Sequence, residues 1–182
     1  MKMNQMARFG IVLGVICLTA TLVLAVTYHI TKPKIDEQMR LEERKALEAI
    51  LPEADTFTEK SVDGIEYFEA LKGDRLVGYC VRVTANGYGS FIRMVVGVKP
   101  DGVIEGVEII ENQETPGLGA KIDEQKPGEK RSRFLRQFEG KPAQSVEVKK
   151  NIDAITGATI SSKAVTDAVR EKVTEFLSKV KR

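Results

Sequence analysis

The sequence predicts an α+β domain, a small antiparallel sheet packed by helices, carried behind a single N-terminal transmembrane helix. Three observations lead there. Residues 9–30 contain no Asp, Glu, Lys or Arg; residues 77–110 alternate apolar and polar positions; and the flanking segments 35–51 and 161–180 repeat apolar residues at helical spacing.

The apolar stretch from Phe9 to Ile30, at 1.5 Å per residue, spans roughly 30 Å, the thickness of a hydrocarbon core. Tyr28 and His29 then fall at the far interface. A cleaved signal peptide is the alternative, because Lys2 and Arg8 form a positive flank. The stretch outruns the usual h-region of ~7–15 residues, however, and no clear small-x-small cleavage site follows it. Lys32, Lys34, Arg40, Arg44 and Lys45 come next, and a count of nearby cations would place that side in the cytoplasm. A large following domain is translocated largely regardless of charge, which favours an N-in anchor with the body outside. The expected organisation is a tip at 1–8, the membrane helix at 9–30, a stalk or first helix at 31–52, and one extracytoplasmic domain at 53–182.

Ile35, Met39, Ala46, Leu47, Ile50 and Leu51 predict an amphipathic helix, with Pro33 and Pro52 as its boundaries. Val77, Tyr79, Val81 and Val83 predict a strand, Ile92, Met94, Val96 and Val98 a second, and Val103 to Ile110 a third. Pro100-Asp101-Gly102 makes the last two a hairpin, and Lys72-Gly73-Asp74 is a turn before the first. The segment 120–128 is polar and irregular. Phe134, Leu135 and Phe138 are apolar anchors in a basic stretch, Lys126, Lys130, Arg131, Arg133 and Arg136, whose flanking Glu129 and Glu139 favour water over a partner as its neighbour. Val165, Val169, Val173, Phe176, Leu177 and Val180 form the core stripe of a final helix from Ser161.

Charge and reactive side chains exclude much. The net charge is +2, from 28 Lys plus Arg against 26 Asp plus Glu. Lys2 and Arg8 carry all of that surplus, so the body is balanced, which argues against nucleic-acid binding. His29 is the only histidine, and Cys17 and Cys80 are the only cysteines. A Ser/His/Asp triad, a disulfide framework, a Cys-rich metal site and a haem attachment are all excluded. Redox chemistry here would need an organic cofactor.

Three segments exceed a packing account. Asn86-Gly87-Tyr88-Gly89-Ser90 connects two strands but lacks the third glycine and the helix of a dinucleotide fingerprint. It reads as an irregular or bulged connection. Glu114-Thr115-Pro116-Gly117-Leu118-Gly119 is a tight-turn loop with an exposed Leu118 and a Gly119 suited to close approach. Asp153-Ala154-Ile155-Thr156-Gly157-Ala158-Thr159-Ile160-Ser161-Ser162 leads into the last helix. Ser161 or Ser162 is a good N-cap there. The same geometry brings hydroxyls of Thr159, Ser161 and Ser162 to a helix N-terminus, where a phosphate is favoured.

Asp153-x-x-Thr156-Gly157-Ala158-Thr159 resembles the flavinylation motif of the FMN-binding domains of the Rnf complexes and the Na+-translocating NADH:quinone oxidoreductases (Nqr). The Glu114–Gly119 loop, Gly87-Tyr88-Gly89 and Phe138-Glu139-Gly140-Lys141 resemble the same family in the same order. With the anchor, the similarity covers essentially the whole chain and is strongest to the RnfG family; the related NqrC proteins are generally longer. The resemblance implies FMN joined to Thr159 by a phosphoester, made from FAD by a flavin transferase that recognises a pattern including Asp153. It implies that Thr156, Gly157, Ala158 and Ser162 hold the phosphate and ribityl end, with Glu114, Thr115, Gly117, Leu118 and Gly119 against the ring. The implied role is electron relay between the partners of an inner-membrane, ion-translocating ferredoxin:NAD oxidoreductase, the Rnf complex. The chain itself would bind no NAD and would not be catalytic alone. The alternatives are an NqrC-like carrier, a membrane-anchored flavin or quinone reductase, and a non-catalytic adaptor.

Overall fold

The computed structural model describes residues 5–125, 128–129 and 131–180. The expected positive tip at Lys2, and Lys126 and Lys130 of the basic stretch, lie outside them. The chain divides into two units, residues 1–41 and residues 42–182.

Helix α1 (Gln5–Ile50) carries a stretch long and apolar enough to cross a membrane. Two of its polar side chains are satisfied locally. Thr19 Oγ1 donates to the Val15 carbonyl at 2.5 Å and Thr21 Oγ1 to that of Cys17 at 2.8 Å, a back-bond that lets a hydroxyl sit in an apolar environment. The expected boundary at Pro33 is not there, since α1 runs through it. Proline's fixed φ is itself helical, so the disruption is confined to one missing N–H and the ring's crowding of the preceding turn.

The body is a five-stranded antiparallel meander in chain order: β1 (Thr56–Val62), β2 (Ile65–Lys72), β3 (Arg75–Asn86), β4 (Phe91–Val98) and β5 (Ile104–Asn112). Only β3, β4 and β5 are expected from alternation. β1 is a polar edge strand, and β2 buries both faces, Ile65 and Tyr67 on one and Phe68 and Ala70 on the other. Neither reads as apolar-in, polar-out. Asp63 and Gly64 both take positive φ, 47° and 80°, and join Val62 to Ile65 in a two-residue hairpin. The expected turns at Gly73 and Gly102 are present.

Val77 departs from its expected set. Ala70 pairs with Gly78 and Leu71 with Leu76, leaving Val77 as an extra residue. This bulge turns Val77 to the face occupied by Phe68 and Cys80, away from Val81 and Val83.

Helix α3 (Thr159–Val180) covers one face. Its stripe Val165, Val169, Val173, Phe176 and Leu177 packs on Val81, Val83, Met94 and Val96, and the Phe176 ring lies 4.8 Å from Tyr67 and 5.3 Å from Tyr79. The opposite face takes Leu47, Ile50 and Leu51, at the end of α1 and just beyond it. Gly97 seats Ile50 there, because any Cβ would collide with its Cγ2. Arg82, stacked 4.6 Å over Phe68, reaches Glu43 at 2.5 and 2.8 Å on this side. Cys80, fully buried in the same cluster, has its thiol pushed up to about 12 by burial.

Short helix α2 (Arg133–Arg136) buries Phe134 and Leu135. Ser132 caps it by accepting from Leu135 N, and its Oγ donates to the Ile122 carbonyl at 2.6 Å. Arg131 does not face water as expected. It bonds Glu108 at 2.5 Å, Glu139 at 2.6 Å and the Ala49 carbonyl at 2.7 Å, lying flat over Gly106, where a Cβ would meet the guanidinium at 2.7 Å.

Candidate flavin site

The β3–β4 connection, the loop after β5 and the segment entering α3 converge on one side chain, Glu114. It is 5% exposed. Its Oε1 accepts from the backbone N–H groups of Gly89 and Ser90, each at 3.0 Å, and Oε2 from Tyr88 N at 3.2 Å and Ser161 Oγ at 2.6 Å. Successive amides curled around a carboxylate form an anion nest, here filled by the chain's own acid. Burial pushes the Glu114 carboxyl up, but the bonds from Ser161, Gly89, Ser90 and Tyr88 outweigh it and hold the group below the usual carboxylate range.

That geometry explains two glycines. A Cβ at Gly87 or Gly119 would run into the Glu114 carboxylate, and at Gly119 it would also lie 2.8 Å from Ser161 Oγ. The close approach expected at Gly119 is therefore made to Glu114.

The loop after β5 turns as expected. Leu118 N donates to the Thr115 carbonyl at 3.1 Å around Pro116 and Gly117, and Gly117 has φ +75°, the pairing of proline and glycine that a type II turn favours. Leu118 is left 50% exposed. Across from it, Gly157 takes φ +82°, and a Cβ there would touch Leu118 Cδ2 at 3.4 Å.

α3 begins at Thr159, so neither serine caps it as expected. Both lie inside its first turn and are buried, Ser161 bound to Glu114 and Ser162 Oγ accepting from Ile155 N at 3.1 Å. Thr159 and Thr156 remain exposed. Of the ten residues expected to meet a flavin, Thr115, Gly117, Leu118, Thr156, Gly157 and Thr159 face outward, whereas Glu114, Gly119, Ala158 and Ser162 are buried.

Beside the motif lies a cleft of about 490 Å³ lined by Lys121, Glu124, Arg133, Phe134, Gln137, Asp153, Ala154 and Ile155. It was not expected, because its walls come from three separate segments. Asp123, next to it in sequence, has its carboxyl raised to about 6 by burial and then by the Glu108 carboxylate. A raised carboxyl stabilises the fold below its ordinary value of 3.8 and loses that contribution as pH rises through about 6. Asp123→Asn is therefore expected to raise the denaturation midpoint at pH 7 and to change it little near pH 4. An equal shift at both pH values would exclude Asp123 as the cause.

Residues 87–174, which span the β3–β4 connection, the loop after β5 and the entry to α3, match the family model described as "FMN-binding domain". A second, "RnfG N-terminal region", matches residues 1–50. The chain is 34% identical over 168 residues to the G subunit of the proton-translocating ferredoxin:NAD(+) oxidoreductase complex of Clostridium ljungdahlii, with 88% of this chain and 86% of that one covered. It is 33% identical to the G subunit of the ion-translocating oxidoreductase complex of Haemophilus influenzae, covering 94% and 90%. To its counterpart in the Na(+)-translocating ferredoxin:NAD(+) oxidoreductase complex of Acetobacterium woodii it is 32% identical, covering 91% and 89%. The crystal structure of Shewanella oneidensis NqrC superposes with a TM-score of 0.48 at 21% identity, over 70% of this chain and 72% of that one. The chain belongs to the RnfG family of the ion-translocating oxidoreductase complexes.

Proposed function

We propose that this chain is a single-pass membrane subunit that relays electrons through FMN attached by a phosphoester to Thr159, in a complex coupling ferredoxin and NAD oxidoreduction to ion movement. The observation that carries the reading is the exposed Thr159 hydroxyl in the first turn of α3, where three loop segments are held together by Glu114. The residues present fit the group. Helix amides and the dipole favour a phosphate at this turn, Gly157 sets bare backbone against Leu118, and Leu118 and Ile160, 50% and 56% exposed, offer apolar cover to a planar ring.

Thr159 Oγ would be the attachment atom, with Thr156 and Gly157 around the phosphate and ribityl chain. Thr115, Gly117 and Leu118 would lie along the ring. Glu114, Gly119, Ala158 and Ser162 would act from beneath, by fixing the backbone that makes these contacts. FMN when bound supplies the one- and two-electron chemistry that no side chain here provides. The body, residues 53–182, would lie on the extracytoplasmic side behind the helix at 9–30, and a flavin transferase would install the cofactor. The names of the relatives support ferredoxin and NAD as the couples of the whole complex.

Purification of the tagged full chain from its native membrane in mild detergent is expected to bring down the polytopic and iron-sulfur subunits, and its denatured band should fluoresce under ultraviolet light. A chain recovered alone, turning over a soluble donor and acceptor at a competent rate, would instead make it a free-standing reductase.

A further inference from the structure

Gln137 grips Asp153 by both of its backbone groups. Its Oε1 accepts from Asp153 N at 2.8 Å and its Nε2 donates to the Asp153 carbonyl at 3.2 Å. A side chain thus supplies the paired bonds that a neighbouring strand would otherwise provide. The carboxamide's orientation follows from the pair, oxygen against N–H and nitrogen against C=O. Downstream, Ile155 N is held by Ser162 Oγ, and Ala158 N donates to the Ile155 carbonyl at 2.9 Å. The segment from Asp153 to Ala158 is therefore pinned at its start, middle and end. The Asp153 carboxylate takes no part in this pinning, and Asp153 is an exposed residue of the cleft that Phe134 and Ile155 also line.

We propose that Gln137 is a positioning residue for the modification of Thr159, holding Asp153 in the arrangement that a flavin transferase reads. The inference rests on the reading that Thr159 carries FMN and on the motif resemblance that makes Asp153 part of the transferase's pattern. In that reaction Thr159 Oγ bonds to the FMN-side phosphorus of FAD, the pyrophosphate bond breaks, AMP leaves, and the hydroxyl proton passes to a base on the transferase. No electrons are exchanged. The acceptor's contribution is to present nucleophile and recognition carboxylate at one fixed separation. Once Gln137 no longer holds it, the start of the segment regains backbone freedom, and only the competent fraction of chains binds the enzyme, which raises KM and spares kcat.

The test uses the full chain in detergent with transferase and FAD, following flavin fluorescence of the denatured band as acceptor concentration is varied. Gln137→Met, which keeps length and packing but loses both bonds, is expected to raise KM about tenfold with kcat within about twofold. Hydrogen exchange at the Asp153 amide should quicken, while residues 165–177 exchange as in the wild type. Gln137→Glu keeps the acceptor and loses the donor, and supplies the same readout if the Met variant does not fold. An unchanged KM, or unchanged exchange at Asp153, overturns the assignment of Gln137 alone. Undiminished labelling of Thr159→Ala, or no labelling of wild type by a transferase that labels another acceptor, overturns the underlying reading and this proposal with it.

Discussion

Replacing Glu114 with alanine is expected to cost about 3 kcal/mol of stability and to loosen the three loop segments that meet on its carboxylate. The carboxylate is the shared acceptor of three consecutive amides and the Ser161 hydroxyl. Removing it leaves those donors facing a small cavity, and each buried donor without a partner costs about 1–3 kcal/mol, less where water enters. Glu114→Gln should fall between wild type and alanine. One of its two terminal positions becomes an NH2 that must face either the Gly89 and Ser90 amides or the Tyr88 amide, whereas the Ser161 hydroxyl can rotate to accept. Chemical denaturation of the detergent-solubilised chain would measure both.

The pH dependence gives a second handle on the same residue. A depressed carboxyl contributes stability that is fully present above its ordinary value of 4.5 and is lost as pH falls through the lower folded value. Wild type should lose stability in that acid range, and Glu114→Gln should lack that part of the slope. Asp123 acts in the opposite direction and at higher pH, so the two can be separated. A Glu114→Ala chain within about 0.5 kcal/mol of wild type would place the cohesion of the three segments elsewhere.

Thr159→Ala is expected to abolish the fluorescence of the denatured band while leaving the fold intact. The side chain is exposed at the start of α3, so its loss should change stability by no more than about 0.5 kcal/mol. A phosphoester needs a hydroxyl, so Thr159→Ser should retain some label. Thr156, exposed three residues earlier, is the other hydroxyl of the motif to compare. If Thr159→Ala still fluoresces and Thr156→Ala does not, the attachment point is Thr156. If both single variants fluoresce and the double variant does not, neither hydroxyl is a dedicated site.

Much of the scaffold was legible because burial leaves a periodic trace. The stripe from Val165 to Leu177 faces the core as its spacing requires, and the alternation from Val81 to Val98 marks the central strands. The trace fails where a strand is covered on both faces, as in β2, or is mostly exposed and polar, as in β1. It fails again at Val77, where one extra residue reverses the side that every neighbouring position implies. Pro33 misleads for a different reason, because a proline removes one bond and the helical turns on either side persist.

The candidate site divides along a similar line. Residue types and order alone mark out the Gly87–Ser90, Glu114–Gly119 and Asp153–Ser162 segments as exceptional, because local turn chemistry and helix entry are written in neighbouring residues, whereas only the resemblance to the flavinylation motif singles out Thr159 among their hydroxyls. Which of those residues look outward and which look inward depends on contacts between positions 24 to 47 apart in the chain. Glu114 and Ser161 have the polarity of ligand-binding groups, yet the tertiary structure turns them upon each other. Gln137 carries no motif at all, and its hold on Asp153 exists only because α2 is packed beside the segment that enters α3. A buried polar atom must find a partner wherever the fold brings one, and no local pattern records where that will be.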